Sequence, residues 1–208
     1  MTLPSKLIEE AVSQFMTLPG IGRKTALRLA LHLLYAESDK VERFGEAVLK
    51  MRRQLRFCSR CHNIADGDLC VICSNPSRNS GLICVVEGLR DLIAIENTGR
   101  FNGQYHLLGG VISPVDGVGP EDLNMDSLVS RVAERSVQEL LMAIGPTMEG
   151  DTTIFYINKL VESYNVKVTV IARGVAFGGD LEYVDDLTLG RSIAARLPYE
   201  KYLVNGTE

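Results

Sequence analysis

FCSRCHNIADGDLCVICSNP, residues 57–76, holds two Cys-x-x-Cys pairs, Cys58 with Cys61 and Cys70 with Cys73, separated by eight residues. A Cys-x-x-Cys turn lets two thiolates converge on one cation, and two such turns supply the four sulfurs that tetrahedral zinc takes at about 2.3 Å. Between them, Asp66-Gly67-Asp68 is the turn chemistry needed to bring the second pair back beside the first. Two other readings compete. Disulfides are disfavoured because nothing resembles a secretory signal, and a redox dithiol needs one Cys-x-x-Cys at a helix start, not two facing pairs. Four thiolates close the coordination shell, so the expected zinc holds a fold and does no chemistry. The knuckle then sets how the segment before it meets the segment after it.

The chain has 208 residues, 46% hydrophobic and 23% charged, which suffices for one sizeable core and a small satellite module. No apolar run reaches membrane-spanning length, and the opening MTLPSKLIEE reads as neither a signal nor a transit peptide. A reducing, cytoplasmic setting is expected, with the fifth cysteine, Cys84, inside the apolar run LICVV and assigned to the core. The net charge of −4 is unevenly spread. Residues 1–60 carry 11 Lys+Arg against 6 Asp+Glu (+5), and residues 61–208 carry 11 against 20 (−9). A basic N-terminal part suggests a surface for a polyanion, although a basic helix face is more often merely solvated.

Residues 5–17 read as a helix with Leu7, Ile8, Ala11, Val12 and Phe15 on one stripe, ended by Leu18-Pro19-Gly20-Ile21-Gly22. A second helix is expected from about Arg23 to Tyr35, with Ala26, Leu27, Ala30, Leu31 and Leu34 facing inward. Two helices joined in this way resemble the helix-hairpin-helix of DNA-binding proteins. Gly20 and Gly22 would let backbone N–H groups approach a phosphate, the helix N-terminus adds partial positive charge, and Lys24 and Arg28 share a face toward neighbouring phosphates. Such contacts are independent of base sequence. The plainer alternative is an αα-hairpin whose glycines only make the turn. A third helix, about Ser38 to Arg56, sets Val41, Phe44, Val48, Met51 and Leu55 at helical spacing and gathers Lys50, Arg52, Arg53 and Arg56 near its end. Those cations either answer the helix dipole or continue a basic surface toward Arg60.

After the knuckle the pattern becomes strand, helix, strand, helix. Strands are expected at Leu82–Val86, near Gln104–Leu108, at Glu139–Ile144 and at Lys167–Ala172. Helices are expected at about Leu89–Glu96, Ser127–Arg135 and Thr152–Tyr164, with a turn-rich loop at Ser113–Pro120. This order predicts an α/β fold with a parallel sheet and right-handed crossovers, whose ligand edge lies beyond the carboxyl ends of the strands. Glu87 directly follows the first of these strands, and Glu149 and Asp151 follow the third. Three carboxylates converging on one edge are what a magnesium ion facing phosphates requires. A solvated acidic rim is the alternative.

The combination resembles the RecR family, bacterial recombination mediators. The motifs are LPGIGRKTALRLALHL (18–33), the four cysteines, VVEG (85–88), YHLLGGVISPVDGVGPEDL (105–123), PTMEGDTT (146–153) and RGVAFGGDLEYVDDLTLGRSI (173–193). The resemblance implies an N-terminal helix-hairpin-helix DNA-binding module (1–56) and a C4-type zinc finger (57–79). It further implies a Toprim domain with a central parallel sheet (80–175) and a C-terminal helical tail for subunit association (176–208). It implies a non-enzymatic clamp on single-stranded, duplex and gapped DNA, assembled as a homo-oligomer, often a tetrameric ring. With RecO and RecF it would help RecA replace single-strand-binding protein at gaps, in the cytoplasm at the nucleoid. DNA contact maps onto Lys24 and Arg28 beside Gly20 and Gly22, and partner docking or weak Mg2+ binding onto Glu87, Glu149 and Asp151.

One departure matters. Catalytic Toprim proteins carry Asp-x-Asp where this chain has Glu149-Gly150-Asp151, and topoisomerases add a nucleophilic tyrosine in a domain missing here. The longer Glu moves its carboxylate by about one methylene, weakening octahedral magnesium geometry. The alternative function, a metal-dependent nuclease or strand-transfer enzyme, is thereby disfavoured. His62 and His32 have no visible partner and read as surface or satisfied histidines, and His106 falls in a strand. No Gly-Lys-Ser/Thr signature accompanies Gly178-Gly179-Asp180, so nucleotide hydrolysis is not expected. Thr188 reads as the cap of a last helix ending near Leu197.

Overall fold

The structure, a computed structural model, describes residues 3–134, 136–175, 178, 180–196 and 198–199. The chain divides into two compact units, Met1–Leu55 and Arg56–Glu208.

The first unit holds helices α1 (Lys6–Met16), α2 (Arg23–Leu34) and α3 (Ser38–Gln54). Thr17 ends α1 by donating its hydroxyl to the Gln14 carbonyl at 2.7 Å, and Gly20 turns the chain at φ +76°, a left-handed conformation that glycine adopts without a Cβ penalty. Val12, Ala26 and Ala30 are buried, and Ile8, Ala11, Phe15, Ile21 and Leu27 pack around them. The two alanines are small enough to let α1 and α2 approach closely. The expected apolar stripes are trimmed at their edges, since Leu7 is 78% exposed and Leu34 is exposed too. The third stripe is corrected altogether. No residue of α3 is buried, and Phe44, Val48 and Met51 face solvent, because within the unit no layer covers them. The helix also stops two residues earlier than expected, where Leu55 turns extended and Arg56 enters a strand.

In the second unit, β1 (Arg56–Phe57) pairs antiparallel with β2 (Ile64–Ala65) at the base of the knuckle. A four-stranded sheet follows, built from β3 (Asn79–Val86), β4 (Gly103–Leu107), β5 (Glu139–Ala143) and β6 (Lys167–Val170). Its order is β4-β3-β5-β6 and every pair is parallel, as the alternation of strands and helices predicts. The connecting helices are α4 (Leu89–Glu96), α5 (Met125–Ala133) and α6 (Met148–Val161), and α7 (Asp186–Ala194) comes last.

Central β3 is apolar on both faces because both are covered. Ile83 and Val85 join Leu140, Met142, Leu128, Val132 and Ile157 in one cluster. Cys84 and Val86 join Leu92, Tyr105, Leu107 and the four knuckle cysteines in the other. The knuckle is thus part of the layer over the sheet rather than a satellite hanging from it. Cys84 is fully buried, and burial pushes its thiol up to about 12, which leaves it inert.

Three helix starts differ from expectation, and the first, α5, opens at Met125, two residues early. α6 begins at Met148, four residues early, with the Thr147 hydroxyl accepting from the Gly150 amide at 3.0 Å. A Cβ on Gly150 would collide with the Gly145 carbonyl oxygen, so this glycine lies within a helix for close packing rather than in a turn. α7 is capped by Asp185, whose carboxylate accepts from the Thr188 amide at 2.9 Å, so Thr188 is the third helical residue and not the cap. Leu197, its expected end, lies outside the described residues, as do residues 176, 177, 179 and 200–208 of the tail.

Candidate functional site

The metal centre is built by two turns. In the first, the Cys58 amide donates to the Asn63 carbonyl at 2.6 Å and the His62 amide to the Cys58 carbonyl at 3.0 Å, with His62 at φ +62°, a left-handed conformation that His tolerates better than most residues. In the second, the Ser74 amide returns to the Cys70 carbonyl at 3.0 Å and the Cys73 amide points at Cys70 Sγ at 3.5 Å. The Asp66-Gly67-Asp68 turn closes the pair, since the Ser59 amide donates to the Asp68 carbonyl at 3.0 Å. All four sulfurs lie within 4.8 Å of one another and all four residues are buried.

A tetrahedron with sulfurs about 2.3 Å from zinc has edges of about 3.8 Å, and Cys61 Sγ lies 3.6 Å from Cys70 Sγ. Cys73 is pulled down to about 6, first by the adjacent Cys61 thiol, while Cys61 is pushed up chiefly by that contact and Cys70 by burial. A divalent cation binding there would displace the thiol protons. The donor set fits a closed, structural zinc site of four thiolates.

The acidic edge is assembled differently from the expected convergence. Glu87 follows β3 and its Oε1 accepts from the Gly145 amide at 2.6 Å, tying the ends of β3 and β5 together. Asp151, in the first turn of α6, receives Arg173 Nη1 at 2.5 Å and has Arg191 Nη2 at 3.6 Å. Glu149 is exposed in the first turn of α6, two residues from the cap. All three stand at the carboxyl edge of the sheet, yet among the described residues the cysteines are the one group of three or more ligand side chains within 4.8 Å. Arg173 and Arg191 were missed by sequence reasoning. They follow Asp151 by 22 and 40 residues, and no local signal marks them as its partners.

The hairpin presents a third candidate. Gly22 caps α2 in an extended conformation with no side-chain cap, and α2 has no acidic residue in its first turn. Added Cβ atoms at Gly20 and Gly22 would meet nothing within 4 Å, so the backbone there is open to solvent. Lys24 and Arg28 are exposed one turn apart on α2.

Two of the three histidines have hydrogen-bond partners. His62 Nε2 lies 2.8 Å from the Ser127 hydroxyl, and its ring meets that of His106 edge-on at 5.4 Å. His106 is fully buried, with Nε2 at 2.8 Å from the Asn124 carbonyl. Since a carbonyl only accepts, Nε2 carries the proton, and Nδ1 is free to accept from Arg131 Nη1 at 3.4 Å. His32 is exposed on α2.

Comparison with known proteins matches four family descriptions along the chain: the RecR helix-hairpin-helix over residues 8–52, the RecR four-cysteine zinc finger domain over 55–75, the Toprim domain over 81–172 and the RecR C-terminal region over 174–196. Among relatives, "Recombination protein RecR" of Parabacteroides distasonis is 53% identical, covering 94% of this chain and 94% of the relative. The Bacteroides fragilis protein of that name is 53% identical over 94% of this chain and 96% of its own length, and that of Cytophaga hutchinsonii 51% identical over 96% and 98%. With the four-cysteine knuckle set into the layer over a parallel sheet and a hairpin opening the chain, this protein belongs to the RecR family.

Proposed function

We propose that the protein is a DNA-binding recombination mediator, a clamp in recombinational repair that acts with RecO and RecF to load RecA onto gapped DNA in place of single-strand-binding protein. The observation that carries this reading is the hairpin. An uncapped helix N-terminus, open backbone at Gly20 and Gly22, and exposed Lys24 and Arg28 make a phosphate-sized, sequence-independent contact. The relatives' printed name supports recombination as the setting. Zinc braces the sheet unit through Cys58, Cys61, Cys70 and Cys73. The chain would work as a homo-oligomeric ring, a tetramer, on single-stranded, duplex and gapped DNA, in the cytoplasm at the nucleoid. No helix of the described residues is long and apolar enough to cross a membrane.

In this reading the Toprim edge is non-catalytic and serves partners. Two of its acids are already engaged, Glu87 by the Gly145 amide and Asp151 by Arg173, which leaves the Glu149 carboxylate outermost for docking or a weakly held Mg2+.

The test is DNA binding by the double variant Lys24→Ala, Arg28→Ala across a salt series. Losing two phosphate contacts lowers the slope of log affinity against log salt by roughly 1.8 on duplex DNA. Unchanged affinity and slope would remove the hairpin from DNA recognition. In the same samples, gapped DNA incubated with Mg2+ or Mn2+ stays intact. Cleavage that disappears in Glu87→Gln would replace the clamp with an enzyme.

A further inference from the structure

The sheet unit contains a buried cation whose local hydrogen-bond partners are all neutral. Arg131, on α5, is 5% exposed. Its Nη1 donates to the Tyr105 carbonyl at 2.7 Å and to His106 Nδ1 at 3.4 Å, its Nη2 donates to Gln104 Oε1 at 3.0 Å, and its buried Nε has no partner among the described residues. Among the described residues no carboxylate pairs with it. A buried guanidinium without counter-charge is strongly unfavourable, so its position calls for an anion nearby.

The edge of the sheet supplies the geometry. β4 is an edge strand whose outward Tyr105 carbonyl is taken by Arg131 and whose outward Leu107 amide, two residues on, donates to the Cys61 carbonyl at 2.9 Å. At about 3.3 Å per residue, the two capped residues stand roughly 7 Å apart along the strand. The His62 ring, adjacent in sequence to Cys61, packs on His106, which itself accepts from Arg131. Zinc held by four thiolates carries a net charge of about −2, in a cluster as buried as Arg131.

We propose that Arg131 is the buried counter-charge of the four-thiolate zinc centre, a positioning residue that acts through space and through the β4 edge to hold the knuckle in its charged, metal-bound form. It is not a ligand. Burial weakens the guanidinium's hold on its proton, Cys73 strengthens it again, Arg60 opposes, and Cys61 and Cys58 assist. The neutral His106 imidazole, with its tautomer set by Asn124, adds no charge of its own between Arg131 and the knuckle. The inference concerns the metal centre alone and stands whether or not the hairpin meets DNA.

The test is zinc affinity of the full-length protein, read by competition with a chromophoric chelator. Arg131→Met, which keeps length but loses charge, lowers affinity about 10- to 100-fold, the range typical of groups just outside a metal's ligands. Arg131→Lys, which keeps the charge with fewer donors, stays within about 3-fold of the wild type. Gln104→Glu, which leaves Arg131 in place but gives it a rival anion, lowers affinity about 10-fold, an effect that a purely structural role for Arg131 does not produce. The proposal fails if Arg131→Met and Gln104→Glu both bind zinc as the wild type does, or if Arg131→Lys loses as much as Arg131→Met. Should Arg131→Met not fold, the Lys and Glu variants decide.

Discussion

In the first 55 residues the buried core is Val12, Ala26 and Ala30, whereas the sheet unit buries a full cluster on each face of β3 and adds a metal site to one of them. The contrast extends to polar groups. Lys24 and Arg28 lie open on α2, while Arg131, His106 and Gln104 are buried, with Arg131 hydrogen-bonded to both others. The sheet unit spends its chemistry on holding shape. The hairpin unit leaves its cations, its glycine turn and the apolar side of α3 facing outward. Under the proposed DNA contact such a division is useful, since the contact surface can vary without disturbing the frame.

The largest effect expected from this division is on metal removal. Structural zinc sites contribute about 10–16 kcal/mol of binding free energy at neutral pH, and here the ligand cysteines share a cluster with Cys84, Tyr105 and Leu107. Chelation, or Cys70→Ser, should therefore loosen the β4 edge as well as the knuckle. Hydrogen exchange reads this directly. The Leu107 amide, which donates to Cys61, loses protection, and amides of α1 and α2 keep theirs. Equal loss in both units would mean that they are not separately held.

Core substitutions come next and act with opposite signs of volume. Leu140, fully buried between β3 and β6, should cost about 2–5 kcal/mol as Leu140→Ala, because the filled cluster cannot collapse onto the space. In the hairpin the sensitive direction is growth. Ala26→Leu inserts three carbons between α1 and α2 and should cost about 1–3 kcal/mol. Thermal unfolding of the two variants checks both, and tolerance of Ala26→Leu would mean that α1 and α2 are less closely seated than the buried alanines indicate.

A smaller, pH-dependent effect tests the buried polar network. Burial pushes His106 down to about 3, with the Asn124 carbonyl opposing and the charge of Arg131 assisting. The sign follows from linkage. The unfolded chain takes up a proton near pH 6.5 and the folded one only near 3, so stability is full above about 6.5 and falls as pH drops through that window. Between pH 7 and 5.5 the wild type should lose about 1 kcal/mol more than His106→Gln. Equal pH profiles would place solvent beside His106. Glu96 acts lower on the scale. Arg78 holds its carboxyl below the usual range, with burial opposing and the Tyr105 hydroxyl assisting, so that stability is present above the ordinary carboxylate pKa and is lost as pH falls below it.

Local chemistry was legible in advance, and long-range pairing was not. The knuckle follows from cysteine spacing and a turn, and the parallel sheet from alternating apolar runs, because each is encoded within a few residues. The start of α6 was hidden by Gly150, which reads as a turn residue but serves close contact with the Gly145 carbonyl. The stripe on α3 has helical spacing whether or not anything covers it, so periodicity alone assigns it inward. Asp151 could be seen as an acid, but not as the acid of Arg173 and Arg191, and Arg131 looks like any cation near a helix end until β4 is laid beside it.

The smallest expected change in stability is also the one that most sharpens the comparison. Lys24 and Arg28 are exposed, Lys24 makes no ion pair among the described residues, and neither does Arg28. Alanine is at least as good a helix former at both positions. The double variant should therefore unfold within about 0.5 kcal/mol of the wild type, while zinc content and the protection of the Leu107 amide stay unchanged. If these two residues are surface chemistry and nothing else, a loss of DNA binding in that variant belongs to the phosphate contact itself. A drop in melting temperature beyond that margin would instead make them part of the hairpin's fold, and the separation between a frame that holds and a surface that binds would no longer describe the first 55 residues.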